Sequence, residues 1–265
     1  MENHIYLSAL LIGATLGLIG GGGSILTVPL LVYIASIKPE LATAYSLFIV
    51  GISASFGAYR AYTKDQLQPK LAIIFALPSL ITIYVTRKWI IPNLPETILQ
   101  IQSIELSRGG MMMLLFSILM FSSSMGMFFK KSKQIQRKEK EVKIRPLFLT
   151  GIGLFLGLIS GLVGAGGGFL IVPALVLVIN VPMKKAIGTS LMIIAINSLT
   201  GFMGDIFNPE VQWKFLLGFS SLSVVGIFIG NRLVDILPAR RLKHLFSYFV
   251  LLMSIVVAIK EVLAL

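Results

Sequence analysis

Apolar positions in this chain come in long unbroken runs. Leu41–Tyr59, Leu71–Thr86, Gly109–Phe129, Pro146–Val163, Ala186–Met203, Phe215–Gly230 and Leu245–Ile259 carry almost no charge, and two shorter pieces, Ile5–Ile19 and Ile25–Ile37, flank a glycine cluster. Most of these runs approach the roughly 20 residues that a helix needs to cross the hydrocarbon of a bilayer. Only helices and closed barrels satisfy every backbone polar group there, so the pattern predicts an all-α polytopic membrane protein, placed in the cell (inner) membrane.

Composition strengthens that reading. The 265 residues are 56% hydrophobic and 13% charged, with a mean hydropathy of +0.90, whereas a soluble domain carries about 25% charged residues. A net charge of +12 would point to nucleic acid in a soluble chain. Here the charges sit between the apolar runs, where positive-inside topology accounts for them, and no nucleic-acid partner is expected. The absence of cysteine excludes disulfides, thiolate metal sites and thiol relays. The start, Met1-Glu2-Asn3-His4, lacks the basic region of a cleavable signal.

The stretch "LIGGGGSILTVP" reads at first like a flexible Gly-Ser linker. It recurs, however, with its flanks: Gly17–Tyr59 aligns without a gap on Gly161–Met203, with about 16 of 43 pairs identical. The identities include Gly20/Gly164, Gly22/Gly166, Gly23/Gly167, Val28/Val172, Pro29/Pro173, Ala42/Ala186, Ser46/Ser190 and Gly57/Gly201, and a weaker continuation sets Lys70 beside Lys214 and Lys88 beside Arg232. The chain therefore divides into a first membrane repeat (1–129), a basic cytoplasmic linker (130–145) and a second membrane repeat (146–265).

Ile25–Ile37, 13 residues, is too short as a helix for a 30 Å core. With Ile5–Ile19 it is too long for one straight crossing, which favours a broken pair that enters and leaves on one side. Charge agrees: if both glycine segments are re-entrant, the 23 basic residues split 17 against 6, and if both cross fully, 13 against 10. The first model gives each repeat a glycine-rich broken (re-entrant) helix pair plus three transmembrane helices. Three crossings per repeat set the second in inverted topology. An eight-crossing chain is the alternative.

Irregular backbone at membrane depth is tolerated where it is buried in protein or lines a cavity. Gly20, Gly21, Gly22 and Gly23, and their counterparts Gly164, Gly166, Gly167 and Gly168, allow close backbone approach to a ligand. Ser24 and Thr27 follow at a half-helix start, where N–H groups favour an anion. Pro29 and Pro173 fit a helix break, and Ser46, Thr189, Ser190 and Asn197 add polar groups on the next helix of each repeat. Packing alone would also explain glycines of this kind. Arg60, Arg87, Lys88, Asp205 and Arg232 fall at run ends, where anchoring to the interface is the default. No catalytic constellation, metal-ligand spacing or cofactor fingerprint in its proper βαβ context is present, so neither enzyme chemistry, metal nor cofactor is expected.

The motif Gly-x-Gly-Gly-Gly/Ser-x-x-x-Val-Pro, at Gly20–Pro29 and Gly164–Pro173, each followed by Ala-x-x-x-Ser-Leu (Ala42–Leu47 and Ala186–Leu191), resembles the TauE/SafE family of membrane permeases over nearly the whole chain. That resemblance implies a small anionic substrate in a lipid bilayer: export of sulfite, or transport of a sulfonate or related organosulfur anion. H⁺- or Na⁺-coupled uptake and a non-transporting scaffold are the alternatives, and homo-oligomer formation is left open. Ile91–Ser107 has no counterpart in the second repeat and is expected as an interfacial helix on the outside.

Overall fold

The computed structural model describes residues 2–101, 104–129, 146–163, 168–206 and 211–263. The basic linker 130–145 and Gly164, Gly166 and Gly167 lie outside them. In chain order the helices are α1 (Glu2–Ile19), α2 (Gly22–Tyr33), α3 (Pro39–Thr63), α4 (Pro69–Val85), α5 (Ile91–Asn93), α6 (Arg108–Phe129), α7 (Pro146–Val163), α8 (Gly168–Pro173), α9 (Met183–Phe202), α10 (Trp213–Ile236) and α11 (Ala239–Val262). A π-helical turn, Thr86–Ile90, joins α4 to α5, and a second, Ala174–Val178, extends α8. Proline stands at or just before the starts of α3, α4, α9 and α11, where its fixed φ suits the first turn.

Among the described residues six helical segments are long and apolar enough to cross a membrane: 39–63, 69–93, 108–129, 183–202, 213–236 and 239–262. The protein is thus an all-α polytopic membrane protein. The apolar parts of α1 and α7, Leu7–Ile19 and Leu147–Leu162, are shorter. Large apolar side chains such as Leu11, Phe121, Phe155 and Leu252 face outward, as a lipid-embedded surface requires.

Small residues set how the helices meet. Gly13 and Gly17 of α1 lie on Ser223, Ile227 and Asn231 of α10, while Gly226 and Gly230 lie on Leu10, Ala14 and Leu18, so α1 and α10 run side by side in one direction. Gly153, Gly157 and Gly161 of α7 repeat the arrangement on Phe75, Ser79, Ile83 and Thr86 of α4. At the centre α3 and α9 run antiparallel, with Gly51 on Leu199, Gly57 on Leu191 and Gly188 on Ala61. α6 and α11 are antiparallel too: Gly110 lies by Glu261, and Ser124 Oγ donates to the Ser247 carbonyl at 2.8 Å. Each half therefore inserts its first helix against a helix of the other.

The sequence repeat is obeyed in hydrogen bonding. Ser53 Oγ donates to Ser223 Oγ at 2.9 Å, and at the equivalent positions Ser79 Oγ donates to Asn197 Oδ1 at 2.8 Å. The Gln68 N–H meets Thr189 Oγ1 and the equivalent Gln212 N–H meets the Tyr45 hydroxyl. After each broken helix pair the same turn follows: Ser36 and Asn180 are both left-handed (φ 53° and 61°), and the Ile37 and Val181 N–H groups reach back to the carbonyls of Leu31 and Leu175.

Ile91–Ser107 departs from the expected interfacial helix. After α5 it forms an antiparallel hairpin of β1 (Thr97–Ile101) and β2 (Ile104–Ser107), with Leu99 opposite Leu106 and Ile101 opposite Ile104. The β-branched Thr97, Ile98, Ile101 and Ile104 suit a pleated ribbon, and an irregularity between Thr97 and Leu99 bends it.

Candidate substrate site at the paired helix breaks

The first glycine cluster is a reversal of the chain. Gly20 adopts φ +72°, a conformation that side-chain-bearing residues rarely take, and α2 folds back so that Gly23 rests on Leu16 and on the Ile12 carbonyl. A straight helix would put residues 12 and 23 about 16 Å apart. Gly21, at the N-cap of α2, brings no side-chain oxygen to the first-turn N–H groups. Ser24 lies in that first turn, and Pro29 lies inside α2.

α9 closes over the reversal. Ser190, fully buried, donates its hydroxyl to the Gly20 carbonyl at 2.6 Å, and a Cβ on Gly20 would sit 2.8 Å from both Ile187 Cα and Ser190 Oγ. Gly168, the first residue of α8, lies against Gly21 and Ile194. The starts of α2 and α8 thus meet, Gly21 on Gly168, beside the central α3–α9 pair. Pro173 ends α8 where the helix passes into its π-helical turn.

The other expected site residues fall into two groups. Thr27 is buried and donates to the Gly23 carbonyl at 2.7 Å, within its own helix. Ser46 is fully buried, and its hydroxyl has no hydrogen-bond partner among the described residues. It is the repeat equivalent of Ser190, and the equivalent of Gly20 is Gly164. Thr189 and Asn197 stand away from the breaks, the first at the start of α4 and the second on Ser79 in the middle of α4. Among the described residues no three His, Asp or Glu side chains gather as a metal site.

A buried cation was missed by the sequence argument. Arg87, placed at a run end as an interface anchor, is instead 4% exposed in its side chain. Its guanidinium meets the Asp205 carboxylate at 2.7–2.8 Å, Thr43 Oγ1 at 3.3–3.4 Å and the Gly161 carbonyl at 3.5 Å. It ties α4 to α3, α7 and the end of α9, just before the second glycine cluster. The π-helical turn that carries it, of a kind that often marks functional positions, widens the helix there. The signal in the sequence was its position: Arg87 lies on the side that the charge split leaves poor in cations, where an arginine needs a local partner.

The family described as "Sulfite exporter TauE/SafE" matches residues 5–257. The chain belongs to this family. A "Probable membrane transporter protein" of Xylella fastidiosa (strain Temecula1 / ATCC 700964) is 30% identical over 252 residues, covering 94% of this chain and 90% of the relative. The "Probable membrane transporter protein YunE" of Bacillus subtilis (strain 168) is 28% identical over 242 residues, 84% of each chain. The "Probable membrane transporter protein MJ0441" of Methanocaldococcus jannaschii is 31% identical over 119 residues, 43% of this chain and 44% of its own. No solved structure matches. The TauE/SafE chain is accordingly a multi-pass membrane transporter.

Proposed function

We propose that this TauE/SafE protein is a permease for a small sulfur oxyanion, exporting sulfite or a sulfonate, with the paired glycine breaks as its central site. The observation that supports this most is the meeting of Gly21 with Gly168 next to the Ser190–Gly20 contact. Two half-helix starts converge there, so backbone N–H groups and hydroxyls can hold an anion without a basic side chain. Ser46, buried and without a hydrogen-bond partner among the described residues, is the repeat equivalent of Ser190.

The same reading makes the repeats inverted and each broken pair re-entrant. Antiparallel packing of the equivalent helices α3 and α9, and of α6 and α11, supports it, as does the fold-back of α2 on α1. The end of the bundle bearing Arg60, Lys64, Lys70, Lys184 and Arg240 then faces the cytoplasm. With an interior-negative potential, each negative charge leaving gains about 2.3 kcal/mol per 100 mV, so export needs no coupling ion.

Binding separates this reading from a scaffold. Sulfite should raise the melting temperature of the purified protein and chloride should not; equal melting in both would favour the scaffold. Orientation is read by labelling: a cysteine at Lys38 should react from outside and one at Lys184 from inside, and the reverse at either position would break the re-entrant arrangement.

A further inference from the structure

The basic end of the bundle holds a second cluster of donors, away from the helix breaks. Arg60 and Lys64, one turn apart near the end of α3, both reach the Asp235 carboxylate on α10, Arg60 at 3.3 Å. Arg60 also donates to the Phe228 carbonyl at 2.9 Å, which fixes its guanidinium on α10, and Lys184 Nζ lies 3.3 Å from the Asp235 carbonyl. Asn231, one turn before Asp235, is 9% exposed, and its Nδ2 has no hydrogen-bond partner among the described residues. Arg60, Lys64, Asn231 and Asp235 line one cavity, whose inner wall is Ile187, Gly188 and Leu191 of α9.

Three features make this more than a surface ion pair. A buried amide donor left unpaired costs about 1–3 kcal/mol, and it is kept beside two cations, where an acceptor would satisfy it. Ile187 forms part of the cavity wall and also touches Gly20, so the cavity abuts the helix break from the basic side. Finally, the space left is about 10 Å³, room for roughly one water. The Asp235 carboxylate, itself a planar anion, occupies the Arg60 and Lys64 donors and leaves the Asn231 amide unpaired.

We propose that Arg60, Lys64 and Asn231 form an anion-binding site at the basic end, with the Asp235 carboxylate as its tethered occupant, which a small oxyanion displaces on its way to the helix breaks. The identity of the oxyanion, sulfite, rests on the permease reading; the site itself does not. Displacement breaks the ion pairs that Asp235 makes with α3 at this end and leaves Arg60 held on the Phe228 carbonyl, facing the oxyanion.

The test is sulfite-dependent melting of the purified protein, with sulfate and chloride alongside, for the wild type, Asp235→Asn and the double variant Arg60→Gln/Lys64→Gln. Removing the competing carboxylate should lower the half-saturating sulfite concentration about tenfold, and removing both cations should raise it by about as much or more. Melting without anion reports folding, and Lys64→Gln alone, at a largely exposed position, gives a milder variant in which the same shift is read. If the double variant or Lys64→Gln saturates like the wild type, or no oxyanion acts on any of them, the site is overturned. Sulfite flux across vesicles is a separate readout. Flux with unchanged saturation in the variants would remove this site and leave the permease; cation-dependent stabilisation without flux would keep the site and remove the permease.

Discussion

Replacing Arg87 with alanine is expected to destabilise the protein by about 3 kcal/mol, because it leaves the carboxylate of Asp205 three-quarters buried without its counter-charge. The same guanidinium serves Thr43 and the Gly161 carbonyl, so α3, α4 and α7 lose a shared contact. Arg87→Lys should recover less than half of the loss, since an ammonium cannot reproduce the forked contacts. Thr43→Ala, which removes one neutral hydroxyl that accepts from Arg87 and donates to the Glu40 carbonyl, should cost about 1–2 kcal/mol. Unfolding in mixed micelles measures the order; wild-type stability in Arg87→Ala would show that the pair contributes nothing. Under the proposed topology Arg87–Asp205 closes the outer end of the bundle as Arg60 and Lys64 with Asp235 close the inner one. Asn231 is the repeat equivalent of Arg87, so one repeat position contributes a donor at both ends.

Gly20→Val should abolish transport and cost about 3–5 kcal/mol, the sum of a β-branched residue forced into left-handed backbone and a side chain driven into a packed wall. Its Cβ would lie 2.8 Å from Ile187 Cα, which belongs to the central helix and cannot move alone. Ser190→Ala is the finer probe: it removes the hydroxyl on the Gly20 carbonyl without adding volume. It should reduce flux with a smaller loss of stability. Gly151→Ala serves as the control, because nothing lies within 4 Å of a Cβ there, and alanine favours a helix over glycine by about 0.5–1 kcal/mol. Transport by Gly20→Val equal to that of Gly151→Ala would take the first helix break out of the mechanism.

The helices were legible in the sequence because lipid demands long apolar runs, and the six segments among the described residues that are long and apolar enough to cross coincide with such runs. The repeat was legible because Gly20–Pro29 and Gly164–Pro173 share residues at matched positions with their flanks, more than apolar composition alone produces. Which helix packs on which was not, since apolar faces in lipid carry no periodic polar signal; the pairing of α1 with α10 is written only in Gly13, Gly17, Gly226 and Gly230. Arg87 was hidden for a related reason. A charge at a run end reads the same whether it reaches water or folds inward onto Asp205, and the partner is over a hundred residues away. Ile91–Ser107 was misjudged because its apolar residues fit a surface helix as readily as a ribbon, and only the pairing of Leu99 with Leu106 decides.

The central claim is transport of a sulfur oxyanion through the glycine breaks, and the measurement closest to it is sulfite flux in proteoliposomes under an imposed membrane potential, with sulfate, thiosulfate and taurine as competitors. Sulfite flux that follows the potential at two pH values and disappears in Gly20→Val is the predicted result. No flux of any of these anions from folded, inserted protein would contradict it.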